Sequence, residues 1–296
     1  MTTPDAPDPS TREGLDAILR VARGAGREAA RLVRGGFRSS PAVEHKGAVD
    51  LVTEFDRASE VLLRQRLGEA LPFAIVGEEH GGAADGVAFY VDPIDGTTNF
   101  VHGHPFWCVS IGLVVAGDPV LGVVIAPALG LEWSGWIAAS GERLAVRRSA
   151  ANAIALDDGA PAGVVEGPCA VSATAALEDA LLATGFPYDR RTSPDNNFDA
   201  FVSIKQRCQA VRRCGSAAID LCLVADGTYE GYWERKLRPW DIAAGIALVR
   251  AAGGRVTDFD GGRGSVASGH VIATNGAIHD ALTSALAQVA VSARPA

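Results

Sequence analysis

Val87-Ala88-Phe89-Tyr90-Val91-Asp92-Pro93-Ile94-Asp95-Gly96-Thr97-Thr98-Asn99 places two carboxylates three residues apart, directly behind an apolar run. Val87 to Val91 reads as a buried strand. Asp92 is then expected where that strand ends, with Pro93 and Gly96 bending the chain straight afterwards. In that arrangement both carboxylates and the carbonyl of Ile94 face one point. Hard oxygen ligands converging on a point are what Mg²⁺ requires. Asp, Pro and Gly are also common turn residues, so the stretch alone leaves a plain surface turn open.

Composition narrows the field. A chain of 296 residues, 48% hydrophobic and 21% charged, is expected to be globular with a real core. No apolar run reaches the roughly 18 to 20 residues that cross a bilayer. Met1 to Pro9 lacks the basic and apolar regions of a signal peptide and reads as a disordered tail spanning residues 1–10. Cys108, Cys169, Cys208, Cys214 and Cys222 are odd in number and form no CxxC pair, which points to reduced core thiols and a cytoplasmic setting. A net charge of −8 disfavours a nucleic-acid groove as the main business of the chain. An acidic protein that handles an anion needs metal ions or a local basic patch.

Ser10-Thr11-Arg12-Glu13 has capping-box form, with Ser10 as the cap, and apolar residues from Leu15 to Val33 recur at helical spacing. A partly alternating segment, Val49 to Asp56, precedes a second helix through Val61, Leu62 and Leu67 that stops before Pro72. From Phe73 to about Val146 the pattern is β. Strands at 73–76, 109–115, 120–125 and 131–138 are expected, with Ala116-Gly117-Asp118-Pro119 as a hairpin turn. Beyond about Gly163, short apolar segments alternate with helices near 176–183, 196–207, 216–225, 242–252 and 277–289. This order predicts an α+β first half and an α/β second half within one unit over 11–290.

Glu78 follows an apolar strand as Asp92 does, so neighbouring strands would bring the two together. Asp241, in Trp240-Asp241-Ile242-Ala243-Ala244-Gly245, stands before an apolar helix, where a helix cap explains it equally well. Singly, Glu78, Asp56 and Lys46 are ordinary surface charges. The combination is more specific. Asp92 to Phe100, preceded by Gly77-Glu78-Glu79 and followed by Trp240 to Gly245, resembles the inositol monophosphatase family. So do Lys46, Val49-Asp50-Leu51-Val52-Thr53 and Asp56, together with Gly215-Ser216-Ala217-Ala218 and Leu182 to Pro187. The likeness covers roughly residues 12–290 with the motifs in order. It implies a layered αβαβα sandwich of the sugar-phosphatase type.

The resemblance also implies a site. Glu78, Asp92 and the Ile94 carbonyl would hold one Mg²⁺; Asp92, Asp95 and Asp241 would hold a second, and some relatives take a third near Glu78. Thr97 would hydrogen-bond the attacking water with Asp56 behind it. Gly96 and Thr97 would offer N–H groups to the phosphate, and Lys46 would add positive charge. Glu234 would grip substrate hydroxyls, with Asp95, Ser216 and Asp241 as further substrate-side residues. The implied activity is hydrolysis of a small phosphorylated alcohol, foremost inositol 1-phosphate, with Li⁺ sensitivity and a homodimer expected from relatives. Sister groups take histidinol phosphate, fructose 1,6-bisphosphate or 3′-phosphoadenosine 5′-phosphate. Thr97-Thr98-Asn99-Phe100 resembles the inositol type. Arg235 and Lys236, however, make the segment after Glu234 basic enough for a second anionic group, unless they are solvated surface charge.

Other readings fare worse. An EF-hand loop fails because its twelfth position falls on Gly103, and neither GxxxxGK[ST] nor GxSxG occurs. Gly262-Arg263-Gly264 is only a faint dinucleotide fingerprint. Asp258-Phe259-Asp260-Gly261 mimics an aspartyl-nucleophile motif but comes too late in the chain and reads as a turn. A non-enzymatic, transcription-associated role stays open, since some bacterial relatives contact the transcription machinery.

Overall fold

The computed structural model describes residues 6–45, 51–84, 86–150 and 164–292. In chain order the elements are α1 (Arg12–Gly36), β1 (Val43–His45), β2 (Leu51–Thr53), α2 (Glu54–Ala70), β3 (Ala74–Gly77), β4 (Val87–Asp95) and α3 (Thr97–Val101). A meander follows: β5 (Cys108–Val115), β6 (Asp118–Ala126), β7 (Leu131–Ile137), β8 (Arg143–Ala150) and β9 (Val164–Pro168). The remainder is β10 (Leu181–Thr184), α4 (Phe198–Lys205), β11 (Ala210–Arg212), α5 (Ala217–Ala225), β12 (Gly231–Glu234), α6 (Pro239–Ala251), β13 (Arg255–Thr257), β14 (Val271–Thr274) and α7 (His279–Ser292).

Strands β3 to β9 form one sheet in sequence order, antiparallel throughout except for the parallel β3–β4 pair. A second sheet has the order β11-β10-β12-β14-β13, with β10 parallel to both its neighbours. Three apolar clusters show the layering. Leu15, Ile18, Leu63 and Leu67 from α1 and α2 pack with Phe89, Ile111 and Val123 on one face of the large sheet. Residues of α5 and α6 fill the space between the sheets, and α4 and α7 cover the far face of the small one. The architecture is the α+β, αβαβα sandwich.

The middle layer explains the Ala- and Gly-rich start of α6. Gly112 on β5 and Gly122 on β6 are paired in register. A Cβ on Gly112 would come 2.6 Å from Ala243 Cβ, and one on Gly122 would come 2.3 Å from the Ala244 carbonyl oxygen. Bare backbone on the sheet and small side chains on the helix let the two approach closely. That contact sets the height of α6 over β5 and β6, and so where Asp241 stands.

Several expectations from the sequence change. The cap of α1 is Thr11, whose hydroxyl accepts from Gly14 N–H, while Ser10 bonds Asp8. Val61 is 54% exposed, and α2 buries Leu63 and Leu67 instead. The hairpin turn is only Ala116-Gly117, both at positive φ, so Asp118 and Pro119 already belong to β6. Residues 177–179 form a single 3-10 turn, and Leu181–Thr184 is a strand rather than helix. Its Leu-Leu-Ala composition suits a helix, but pairing with β11 and β12 overrides that weak preference. Asp258 accepts from the N–H groups of Asp260 and Gly262, as a turn requires.

Candidate active site

β4 runs three residues past the expected end, and the register against β5 explains how. Asp92 pairs with Ser110 and Asp95 with Cys108, so one strand advances three residues while its partner advances two. This is a β-bulge, and Pro93, which has no N–H, falls in the irregular stretch. In a regular strand, residues three apart point to opposite faces. The extra residue turns Asp92 and Asp95 toward a common side. The chain then leaves through Gly96 at φ +98°, where a Cβ would also press on the Phe106 carbonyl at 3.0 Å.

Glu78 comes from the neighbouring strand end. In the parallel pairing of β3 and β4, Gly77 lies opposite Val91, which brings the next residues, Glu78 and Asp92, side by side. The turn bearing Glu78 is moulded by the fully buried Glu60 of α2. The Glu60 carboxylate accepts the N–H groups of Glu79 at 2.6 Å and His80 at 3.1 Å and pairs with Arg64 at 2.8 Å. Asp241 is the third residue of α6 rather than its cap, and its carboxylate accepts the Arg238 N–H at 2.7 Å.

Asp56 and Thr97 are in direct contact. The Thr97 hydroxyl lies 3.0 Å from both Asp56 Oδ1 and the Ile94 carbonyl, two acceptors that share its single proton. Asp56 also accepts the Thr53 N–H and hydroxyl on its other oxygen, closing a capping box at the start of α2. Asp95 is held by α5: the Ser216 hydroxyl and Ala218 N–H each donate to its Oδ2 at 2.7 Å. The Ser216 hydroxyl thus serves Asp95 and caps α5. Lys46 lies outside the described residues.

A cavity of about 650 Å³ opens over this group. Glu78, Asp92, Ile94, Asp95, Gly96, Thr97 and Asp241 line one side; Ser216, Asp220 and Glu234 line another, with Arg190 and Arg213 also on the wall. Glu234 is buried and accepts the Tyr232 hydroxyl. Arg235 and Lys236 are already engaged. Arg235 stacks on Phe259 at 3.6 Å and lies 3.6 Å from Asp195, while Lys236 bonds Asp189 at 2.9 Å and Ser193 at 2.8 Å.

The electrostatics are those of a crowded anionic nest. Burial, then the charges of Glu78, Asp95 and Asp241, push Asp92 well above the usual carboxylate range. Burial, then Asp95 and Glu78, do the same to Asp241. Asp95 is raised by burial to about 6, against the pull of Ser216 and Ala218. Burial raises Glu234 to about 7 despite Tyr232 and Arg213. Four carboxylates and a carbonyl oxygen around one space are a hard, all-oxygen donor set, which suits Mg²⁺ rather than a soft metal. Among the described residues no three Asp, Glu, His or Cys side chains close on a single point.

A model of the inositol monophosphatase family matches residues 14–291. The chain belongs to the inositol monophosphatase family. It is accordingly a phosphatase that hydrolyses phosphomonoesters, in a family that is generally metal-dependent. An inositol-1-monophosphatase of Synechocystis is 42% identical over 83% of this chain and 80% of its own length. A protein of Pseudomonas aeruginosa named Nus factor SuhB is 37% identical over 88% of this chain and 92% of its own. Among solved structures, an inositol monophosphatase from Anabaena superposes with a TM-score of 0.76 at 36% identity, covering 93% of this chain and 96% of that one. No helix among the described residues is long and apolar enough to cross a membrane.

The sequence pointed to neither Asp220, Arg213 nor Glu60. Asp220 carried a signal, four residues past the Gly215-Ser216 motif at the start of a helix. Glu60 sits mid-helix, and only the fold reveals what it holds.

Proposed function

We propose that the protein is a Mg²⁺-dependent phosphatase of small phosphorylated polyols, with inositol 1-phosphate as the favoured substrate. One observation carries the reading: Glu78, Asp92, Asp95 and Asp241, from three separate elements, wall the same cavity as the buried Glu234. Glu78, Asp92 and the Ile94 carbonyl would hold one Mg²⁺, and Asp92, Asp95 and Asp241 a second. Ions held there supply positive charge that acidifies water and stabilises the departing oxygen. Thr97 orients the attacking water through its hydroxyl, and Asp56, whose carboxyl burial pushes upward, takes the proton behind it. The N–H groups of Gly96 and Thr97 face the phosphate, and Glu234 grips hydroxyls of the alcohol. We also take residues 11–290 as one catalytic unit acting as a homodimer in the cytoplasm. α6 packs on strands of both sheets, which favours the single unit.

The pairing of Arg235 and Lys236 with Asp195, Asp189 and Ser193 weakens the case for a bisphosphate, because a second anion would have to displace these partners. Relatives named Nus factor favour a second role in transcription. Salt-sensitive co-purification with RNA polymerase supports that role, and an empty pull-down removes it.

A Mg²⁺-dependent phosphate-release panel of inositol 1-phosphate, histidinol phosphate, fructose 1,6-bisphosphate and 3′-phosphoadenosine 5′-phosphate tests the substrate. Inositol 1-phosphate is expected to be fastest, with Li⁺ inhibiting. Asp95→Asn is expected to abolish turnover while the circular dichroism stays native. Near-normal activity in that variant sinks the two-ion assignment.

A further inference from the structure

Among the described residues, one carboxyl lining the cavity is not used by the proposed mechanism. Asp220 sits in the first turns of α5, where its N–H makes an ordinary helix bond to the Ser216 carbonyl at 3.1 Å. Its side chain is 2% exposed and lines the cavity. Asp92, Asp95, Asp241 and Glu234 each accept at least one protein hydrogen bond. Asp220 Oδ1, by contrast, is sealed from solvent and has no partner among the described residues. A buried carboxyl with an unpaired oxygen costs about 1 to 3 kcal/mol, so one that lines a cavity is expected to meet a ligand through the oxygen that reaches the cavity.

The surroundings indicate which part of the ligand. Asp220 shares the cavity wall with Glu234, Asp95 and Arg213. Burial, reinforced by Glu234, pushes the Asp220 carboxyl well above the usual carboxylate range. A carboxyl bonds an alcohol hydroxyl in either state, accepting when ionised and also donating when protonated. A purely structural alternative is an acid favoured by the N-terminal end of the α5 dipole. That role is served best by an exposed, ionised side chain with N–H partners, and Asp220 has neither exposure nor such partners.

We propose that Asp220 is a specificity-determining residue that hydrogen-bonds a hydroxyl of a polyhydroxylated phosphate ester, beside Glu234 on the alcohol side of the cavity. The proposal rests on the polyol-phosphatase reading above. A site built to bond a hydroxyl discriminates strongly against esters that lack it.

The test is the ratio of kcat/KM for inositol 1-phosphate to that for p-nitrophenyl phosphate, which carries no hydroxyl. In Asp220→Ala this ratio is expected to fall about tenfold from the wild-type value, the worth of one hydrogen bond. Asp220→Asn, which keeps a donor and an acceptor, is expected to hold the ratio within about threefold. Should the alanine variant not fold, Asp220→Ser, too short to reach the same hydroxyl, carries the same comparison. A ratio unchanged in the alanine or serine variant overturns the proposal, as does an asparagine variant that loses as much as alanine. A wild type with no preference for inositol 1-phosphate overturns the polyol reading and this proposal with it. A wild-type preference that survives in the variants overturns only the role of Asp220.

Discussion

At the scale of single residues, the site is a contest between burial and charge. Asp92, Asp95, Asp241 and Glu234 lie where desolvation favours the protonated form, and local donors draw back Asp95, Asp241 and Glu234 only in part. Glu234 makes this measurable. Its ordinary carboxyl range lies far below neutrality, yet burial raises it to about 7. An ionised Glu234 accepts hydroxyl protons from a polyol, and a protonated one loses half of that capacity. The kcat/KM for the polyol ester is therefore expected to fall as pH drops below about 7. In Glu234→Gln that limb should vanish from the pH profile, at a lower overall rate. A limb that persists unchanged in the glutamine variant assigns it to another group.

Elements act by bringing these residues to one place, and small residues govern how closely. The close approach of α6 to β5 and β6 at Gly112 and Gly122 fixes the base on which Asp241 stands. In Gly122→Ala the new methyl meets the Ala244 carbonyl oxygen at 2.3 Å, a backbone atom that cannot rotate away. Overpacking of this kind costs about 1 to 3 kcal/mol. Urea unfolding is expected to show a loss of that size, with activity reduced as α6 is lifted from the sheet. A variant as stable as the wild type means that helix and sheet are less tightly joined than the contact indicates. The start of α6 was legible in the sequence as Trp-Asp-Ile-Ala-Ala-Gly, but the purpose of its small residues was not. Glycines 112 and 122 and alanines 243 and 244 are more than a hundred residues apart, and each alone reads only as low side-chain volume. The bulge in β4 is similar. Pro93 announced an irregularity, but its form depends on the register of β5, which no local pattern contains.

For the whole molecule, stability against pH has opposing contributions. His279 is buried at the start of α7, with Nε2 3.0 Å from the Thr257 hydroxyl and Nδ1 2.9 Å from that of Thr274. Burial, assisted by Arg255, lowers its pKa to about 4. The folded state thus holds His279 neutral, while the unfolded chain takes up a proton near its ordinary pKa of about 6.5. Its stabilising contribution is complete above about 6.5 and is lost as pH falls toward 4, at no more than about 1.4 kcal/mol per pH unit. The raised carboxylates of the cavity have the opposite slope, because there the folded state holds the extra protons. The measurement is therefore a difference. Unfolding free energies of wild type and His279→Gln are expected to converge as pH falls from 6.5 to 4. Parallel curves over that range rule out the histidine as the source.

The sequence by itself determined the identities and order of Glu78, Asp92, Asp95, Thr97, Glu234 and Asp241, the long α1 and the meander of the first half. Strand ends, turns and apolar periods are local properties, and the acidic motifs sit at such punctuation marks. Only the tertiary structure decided that Leu181–Thr184 is a strand, that a bulge turns Asp92 and Asp95 to one side, and that Glu60 shapes the turn carrying Glu78. It also decided that Arg235 and Lys236 are occupied by partners and that Asp220 lines the cavity without one. These depend on pairing and burial between residues far apart in the chain. Such contacts are formed by the fold as a whole and leave no mark on the local pattern.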